Sequence, residues 1–306
     1  MTNTRNENLG YVYGLIAVTA FALTLPAMRA ALSALDPVFV ALGRGAGAAV
    51  LAAVFLWFTR QRLPTREEAK GLIIVAAGAV IGFPLLAAWA MLYVDASHGG
   101  VVLGILPLAT AVAAALFSNE RPSMKFWLFA LIGAGLVVGY SLSRAGGTLH
   151  PADLALFGSI VCAGVSYAEG ARLSKSLGGP QVISWALVFS FPILIIPAIH
   201  YAPVSLNLPL ESWLGFIYLT VISQYLGFFP WYHGLALGGI AKVGQTQLLQ
   251  PFLTIIASVL LLGEHADLMT WLVATLVVAV VAVGKHAQVK HNDPESATIA
   301  DTSPHS

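Results

Sequence analysis

Few side chains in this sequence could take part in chemistry, and most of those stand inside long apolar runs. Ser223, Gln224 and Tyr225 are consecutive, and Gln245, Thr246, Gln247 and Gln250 follow a short way on. Gln247 and Gln250 are three apart, so on a helix they share one face. Amides in apolar surroundings are costly unless they are hydrogen-bonded. These groups therefore either pair between helices or line a hydrated cavity whose neutral donors and acceptors suit a zwitterionic headgroup. Thr24, Ser159, Ser166 and Tyr167 are smaller candidates, for which a bond to a nearby helix carbonyl is the competing reading. Trp89 and Tyr93, with Tyr225, Phe228, Trp231 and Tyr232, supply aromatic surface. Such rings act as interfacial anchors or as the walls of a binding site, and Trp89 lies one turn deeper than Tyr93.

Two charged residues stand apart from the rest. Arg44 lies within an apolar run, where it snorkels or caps carbonyls of a neighbouring helix; with Glu169 it is the candidate for a structural or proton-linked charge. Glu169 precedes Arg172 by three residues, the spacing of an ion pair on one helix face. Its sharper reading is a carboxylate that carries a proton. Pro107 and Pro251 each remove a backbone donor in mid-helix and, with Gly100 and Gly244, are candidate hinge or gating positions. The sequence contains neither HExxH nor GxSxG, so no catalytic residue and no enzyme activity is expected. A single cysteine, Cys162, offers no thiolate metal cluster, and no metal or cofactor is expected.

What must position these residues is a membrane-embedded bundle. Of 306 residues, 58% are hydrophobic and only 9% charged, against roughly a quarter charged in a soluble domain. The apolar runs are long enough to cross about 30 Å of hydrocarbon. They predict ten spans: 9–31, 37–58, 70–93, 97–117, 125–142, 151–174, 180–200, 210–233, 242–262 and 267–286. Alternating them from a cytoplasmic N-terminus puts twelve of the fifteen basic residues on the cytoplasmic side. These are Arg5, Arg60, Arg62, Arg66, Lys70, Arg121, Lys125, Arg172, Lys175, Lys242, Lys285 and Lys290. Arg29 and Arg144 fall opposite, and Arg44 falls within a span. That asymmetry fits the positive-inside rule and puts both termini in the cytoplasm. The net charge of +1 gives no sign of a nucleic-acid partner.

A shift of 144 residues lays one half of the chain on the other. Gly14 meets Gly158, Gly100 meets Gly244, Pro107 meets Pro251, Glu120 meets Glu264, Trp127 meets Trp271 and Ala130 meets Ala274. The expected fold is thus all-α and integral to the membrane, with ten transmembrane helices in two five-helix halves. Residues 1–147 form the first half, 148–287 the second, and 288–306 a polar, disordered cytoplasmic tail. An odd number of spans per half inverts the second copy, an arrangement typical of alternating-access transporters.

In Ala96–Tyr140 and Ile240–Gly284 alike, a proline stands thirteen residues before a glutamate at a helix end. Both stretches resemble the EamA repeat of the drug/metabolite transporter superfamily. The run from Pro37 to Arg44, PVFVALGR, resembles that family's arginine after an aromatic. Within the superfamily the chain looks most like the YddG-type amino-acid exporters.

The resemblance implies an exporter of aromatic and other neutral amino acids in a bacterial inner membrane, working as a monomer. The site expected between the halves uses Thr24, Trp89, Tyr93, Ser166, Tyr167, Gln224, Tyr225, Gln247 and Gln250. No carboxylate is placed at mid-depth, which predicts facilitated diffusion. The alternative is export of drugs or other small metabolites, with proton coupling through Glu169. A channel is disfavoured, since no ring of like charges and no filter-like loop occurs.

Overall fold

The computed structural model describes residues 2–117, 124–144, 150–239 and 243–286. Glu120, Arg121, Lys242, Lys290 and the tail at 288–306 lie outside the described residues, as do the junctions that close each half of the repeat.

Among the described residues the chain is helical throughout, without strands. Seven helices are long and apolar enough to cross a membrane. They are α1 (Asn8–Ala31), α2 (Phe39–Phe58), α3 (Arg66–Ala90), α4 (Ala96–Leu116), α6 (Pro151–Leu177), α7 (Gly179–His200) and α8 (Leu210–Gly238). Three more helical segments are α5 (Met124–Arg144), α9 (a 3-10 helix, Gly244–Leu249, continued by an α-helix, Gln250–Leu262) and α10 (Leu268–His286). Their described apolar stretches are shorter.

Local chemistry sets several of the ends. Thr65 and Glu68 form a reciprocal capping box at the start of α3, which satisfies two otherwise orphaned N–H groups. His150 and Asp153 do the same for α6. Gly263 ends α9 at φ 67°, a conformation that glycine adopts without a Cβ penalty.

The repeat seen in the sequence recurs in the helix boundaries. Arg66 and Leu210 start α3 and α8, and Met124 and Leu268 start α5 and α10. Leu106 and Gln250 begin the regular α-helical parts of α4 and α9. Each pair is separated by the same 144 residues. The packing follows the same exchange of halves. Helix α1 packs on α8 as α6 packs on α3, and α4 meets α6 as α9 meets α1. The pairs α2–α7, α4–α9 and α5–α10 join each helix to its own counterpart.

Small residues allow the closest crossings, as membrane helices require in the absence of a water-driven hydrophobic force. Gly10 of α1 faces Gly234 and Gly238 of α8, and a Cβ on Gly10 would lie 2.9 Å from Gly238 Cα. On the matching seam, a Cβ on Gly78 of α3 would strike the Cys162 carbonyl of α6. Val12, Ile16, Val50, Val54, Ile193 and Ile196 stay exposed on the outer surface, where apolar side chains meet lipid at no cost.

Candidate functional site

Six of the ten helical segments are interrupted where they approach one interior cavity. Helix α1 breaks at Leu23, next to Thr24. A π-helical turn at Phe39–Gly43 leads directly into Arg44 of α2. Helices α3 and α8 carry π-helical segments at Ala76–Gly82 and Leu219–Leu226, which the 144-residue shift places on one another. Helix α4 is broken between Leu103 and Leu106, and α9 runs as a 3-10 helix over Gly244–Leu249 before Gln250. Departures from α-helix free backbone groups, and within a membrane this is tolerated only where protein or water satisfies them. Non-α turns also concentrate at functional sites.

Side chains from neighbouring helices bond two carbonyls at these interruptions. Thr254 Oγ1 donates to Ala22 O at 2.9 Å, beside the break in α1. Gln224 Nε2 donates to Ala79 O at 3.2 Å, inside the π-helical segment of α3. The interruptions are thus held in place by bonds between helices.

The cavity lies among Phe21, Thr24, Arg44, Ala79, Phe83, Leu103, Leu106, Ala163, Tyr167, Ser223, Gln224, Phe228 and Gln250. In this conformation it is narrow, with a volume of only about 20 Å³, enough for roughly one water. Thr24 and Ser223 share a hydroxyl–hydroxyl hydrogen bond of 2.8 Å across the cavity wall.

Next to it, Phe21, Tyr167, Phe228 and Trp231 form a cluster of ring contacts with centroids 5.1 to 6.3 Å apart. Tyr232 extends this cluster against Phe228 and packs on Gly170. A larger residue at 170 would have to displace the Tyr232 ring. Three of its rings, those of Phe21, Tyr167 and Phe228, line the cavity itself.

Four of the nine residues named for the site from sequence line this cavity: Thr24, Tyr167, Gln224 and Gln250. Ser166 points to the Ala163 carbonyl, 3.0 Å away, and Tyr225 bonds Ser184 of α7 at 3.0 Å. Gln247 is buried in the 3-10 turn, with neither amide atom hydrogen-bonded. Trp89 and Tyr93 stand apart at the end of α3, their rings 5.0 Å from one another and Tyr93 5.5 Å from His150.

Pro107 and Pro251 occupy the second position of the regular helices that follow the two breaks, where the absent N–H would have had no partner. Gly100 packs on Thr254 and Pro251, joining α4 to α9. Gly244 is buried at the start of the 3-10 turn. Glu169 takes a bidentate grip on Arg172, at 2.6 and 2.9 Å, away from the cavity lining.

Arg44 lies on the cavity wall and is 1% exposed. Its Nε and Nη1 have no hydrogen-bond partner, and neither has Gln224 Oε1. A sequence signal for this was present: the neighbours of Arg44 one turn away are Val40, Ala41, Gly47 and Ala48, so its own helix offers no acidic partner. Phe228 belongs to the aromatic group noted in the sequence, but Phe21 and Phe83 had no comparable signal, because phenylalanine inside an apolar run carries no mark of which side it faces.

Comparison with known proteins agrees with this architecture. The EamA-like transporter family matches the chain twice, over residues 8–142 and 150–283. The uncharacterized transporter YdeK of Bacillus subtilis is 42% identical over 282 residues, covering 92% of this chain and 96% of the relative. A probable terminal-alkyne amino-acid exporter of Streptantibioticus cattleyicolor is 23% identical over 256 residues, covering 81% and 84%. A solved crystal structure superposes with a TM-score of 0.66 at 17% identity over 90% of this chain and 97% of its own, a likeness of fold. With two family repeats covering almost all of its helices, the chain is a multi-pass membrane protein that belongs to the EamA-like transporter family.

Proposed function

We propose that this protein exports amino acids, aromatic and other neutral ones included, across a bacterial cytoplasmic membrane by alternating access. In this reading all ten helical segments cross the bilayer, the second half is inverted, and both termini are cytoplasmic. The observation that carries it is the closed cavity between the halves, where six helices are interrupted. Its wall combines hydroxyl and amide groups with four aromatic rings, those of Phe21, Phe83, Tyr167 and Phe228. Such a wall suits a polar headgroup and a bulky side chain. The exchange-symmetric packing supports a rocking motion in which either half takes the other's part. The resemblance to an amino-acid exporter supports the cargo class.

No Asp or Glu lines the cavity, which supports facilitated diffusion over proton exchange. The carrier acts as a monomer in this reading. Reconstituted vesicles loaded with a mixed amino-acid pool test it. Efflux of neutral amino acids without an imposed ion gradient is expected. Efflux of none of them, or transport that runs only with a proton gradient, refutes the respective part.

A further inference from the structure

The cavity wall carries one formal charge, and that charge is positive. Among its lining residues Arg44 is the single ionic side chain. It is buried, it forms no ion pair among the described residues, and two of its nitrogens lack partners. A buried charge of this kind is unfavourable unless it is paired, and in a membrane bundle it marks a ligand pathway. A guanidinium presents its N–H groups in a planar fork that matches a carboxylate bidentately. The second unmet group, Gln224 Oε1, is an acceptor and calls for a donor on the same ligand.

From this geometry we infer that the cavity is a carboxylate site, in which Arg44 holds the carboxylate of the cargo and Gln224 Oε1 accepts a hydrogen bond from its 2-substituent. The inference rests on the cavity being the transport site. It also separates two kinds of cargo that the headgroup alone would not. A zwitterionic amino acid brings a cation beside Arg44 and leaves the site with its positive charge. A 2-hydroxy acid supplies the same carboxylate and a donor for Gln224, and it leaves the site neutral. The 2-ammonium group is therefore dispensable, and 2-hydroxy acids bind at least as tightly as the corresponding amino acids. The aromatic rings of the wall favour a phenyl or similar side chain. Because the cavity is closed down to about 20 Å³, the ligand enters only when the helices part.

Four ligands that share one side chain provide the test on the full-length protein in nanodiscs: L-phenylalanine, L-phenyllactate, phenethylamine and L-phenylalaninamide. Phenyllactate is expected to match or exceed phenylalanine in equilibrium binding. The two compounds without a carboxylate should bind about tenfold more weakly or worse. Arg44→Gln should weaken both acids by about tenfold or more, because it removes one partner of a buried ion pair. Should that variant fail to fold, Arg44→Lys keeps the charge but not the fork, and a smaller loss for both acids is expected.

Amine or amide binding within about threefold of the acids overturns the inference, and so does an absence of binding by either acid. Acid binding in a protein that exports no amino acid from vesicles leaves the carboxylate site standing and removes the export reading. Amino-acid export inhibited equally by the amide does the reverse.

Discussion

At the scale of single residues the cavity wall divides into groups with partners and groups without. Thr24 and Ser223 satisfy each other, whereas Gln224 satisfies a backbone carbonyl with its nitrogen and leaves its oxygen unmet. Gln224→Ala therefore removes two roles together, the bridge from α8 to α3 and the ligand contact. We expect it to lower export at least about tenfold, with a loss of stability near 1 kcal/mol for the buried bond. Vesicle efflux and thermal unfolding measure the two separately. Gly78→Val acts through packing alone. Its side chain would be driven into the Cys162 carbonyl on the α3–α6 seam, and overpacking of this kind costs about 1–3 kcal/mol. The expected result is a lower unfolding temperature of the purified protein. A variant as stable as the parent would show that the seam opens more readily than its glycines suggest.

At the scale of helices, a carboxylate beyond the end of one helix secures the start of another. Glu264, at the end of α9, accepts from the backbone N–H groups of Ala96 and Ser97, both at 2.9 Å. Its carboxylate thus caps the start of α4, where an anion meets the positive end of the helix dipole. Glu264→Gln keeps the shape but loses the charge, and should cost about 1 kcal/mol. It should also slow exchange more than it lowers substrate affinity, because the cap joins α9 to α4 rather than touching the cavity. Comparing rate with half-saturation in counterflow experiments checks this.

The helix scale also shows how far the sequence could be read. Hydropathy marked out the apolar runs, seven of which form helices long enough to cross a membrane, and the 144-residue register recurs in helix starts at Arg66 and Leu210 and at Met124 and Leu268. The four polar residues Thr24, Tyr167, Gln224 and Gln250 were recognisable because polarity is rare in these runs. The π-helical turns were not. AAGAVIG and LTVISQYL contain no proline, and although Pro84 and Pro230 each disturb the carbonyl four residues back within them, a proline does not say that the chain will answer with a wider turn and not a kink. Trp89 and Tyr93 illustrate the opposite difficulty, since an aromatic ring at a helix end reads alike whether it meets lipid headgroups or a ligand. Arg44 was visible as an anomaly, but its lack of a partner became apparent only with α3, α6 and α8 around it.

At the scale of the whole molecule, the proposed inverted topology has a direct test. Cys162 is the one cysteine in the chain, so Cys162→Ala gives a background for single reporters. In that background S205C, between α7 and α8, should react with a membrane-impermeant thiol reagent in intact cells. T59C, between α2 and α3, should react only after the membrane is opened. The same protection pattern at both sites would refute the inverted arrangement.

The symmetry that organises the helices does not extend to their charge. Residue 188, which the 144-residue shift places on Arg44, is a valine inside the regular helix α7. The π-helical turn that precedes Arg44 has no counterpart there either. At this position one half therefore carries a fixed cation and the other carries none. A membrane potential acts on such a group with about 2.3 kcal/mol per elementary charge per 100 mV across the full field. The vacant carrier, with its guanidinium uncompensated, should then return at a rate that depends on voltage. The carrier loaded with a monoanion should move almost without regard to it. Exchange measured in vesicles under a clamped potassium diffusion potential would reveal an electrical asymmetry within a geometrically symmetric fold.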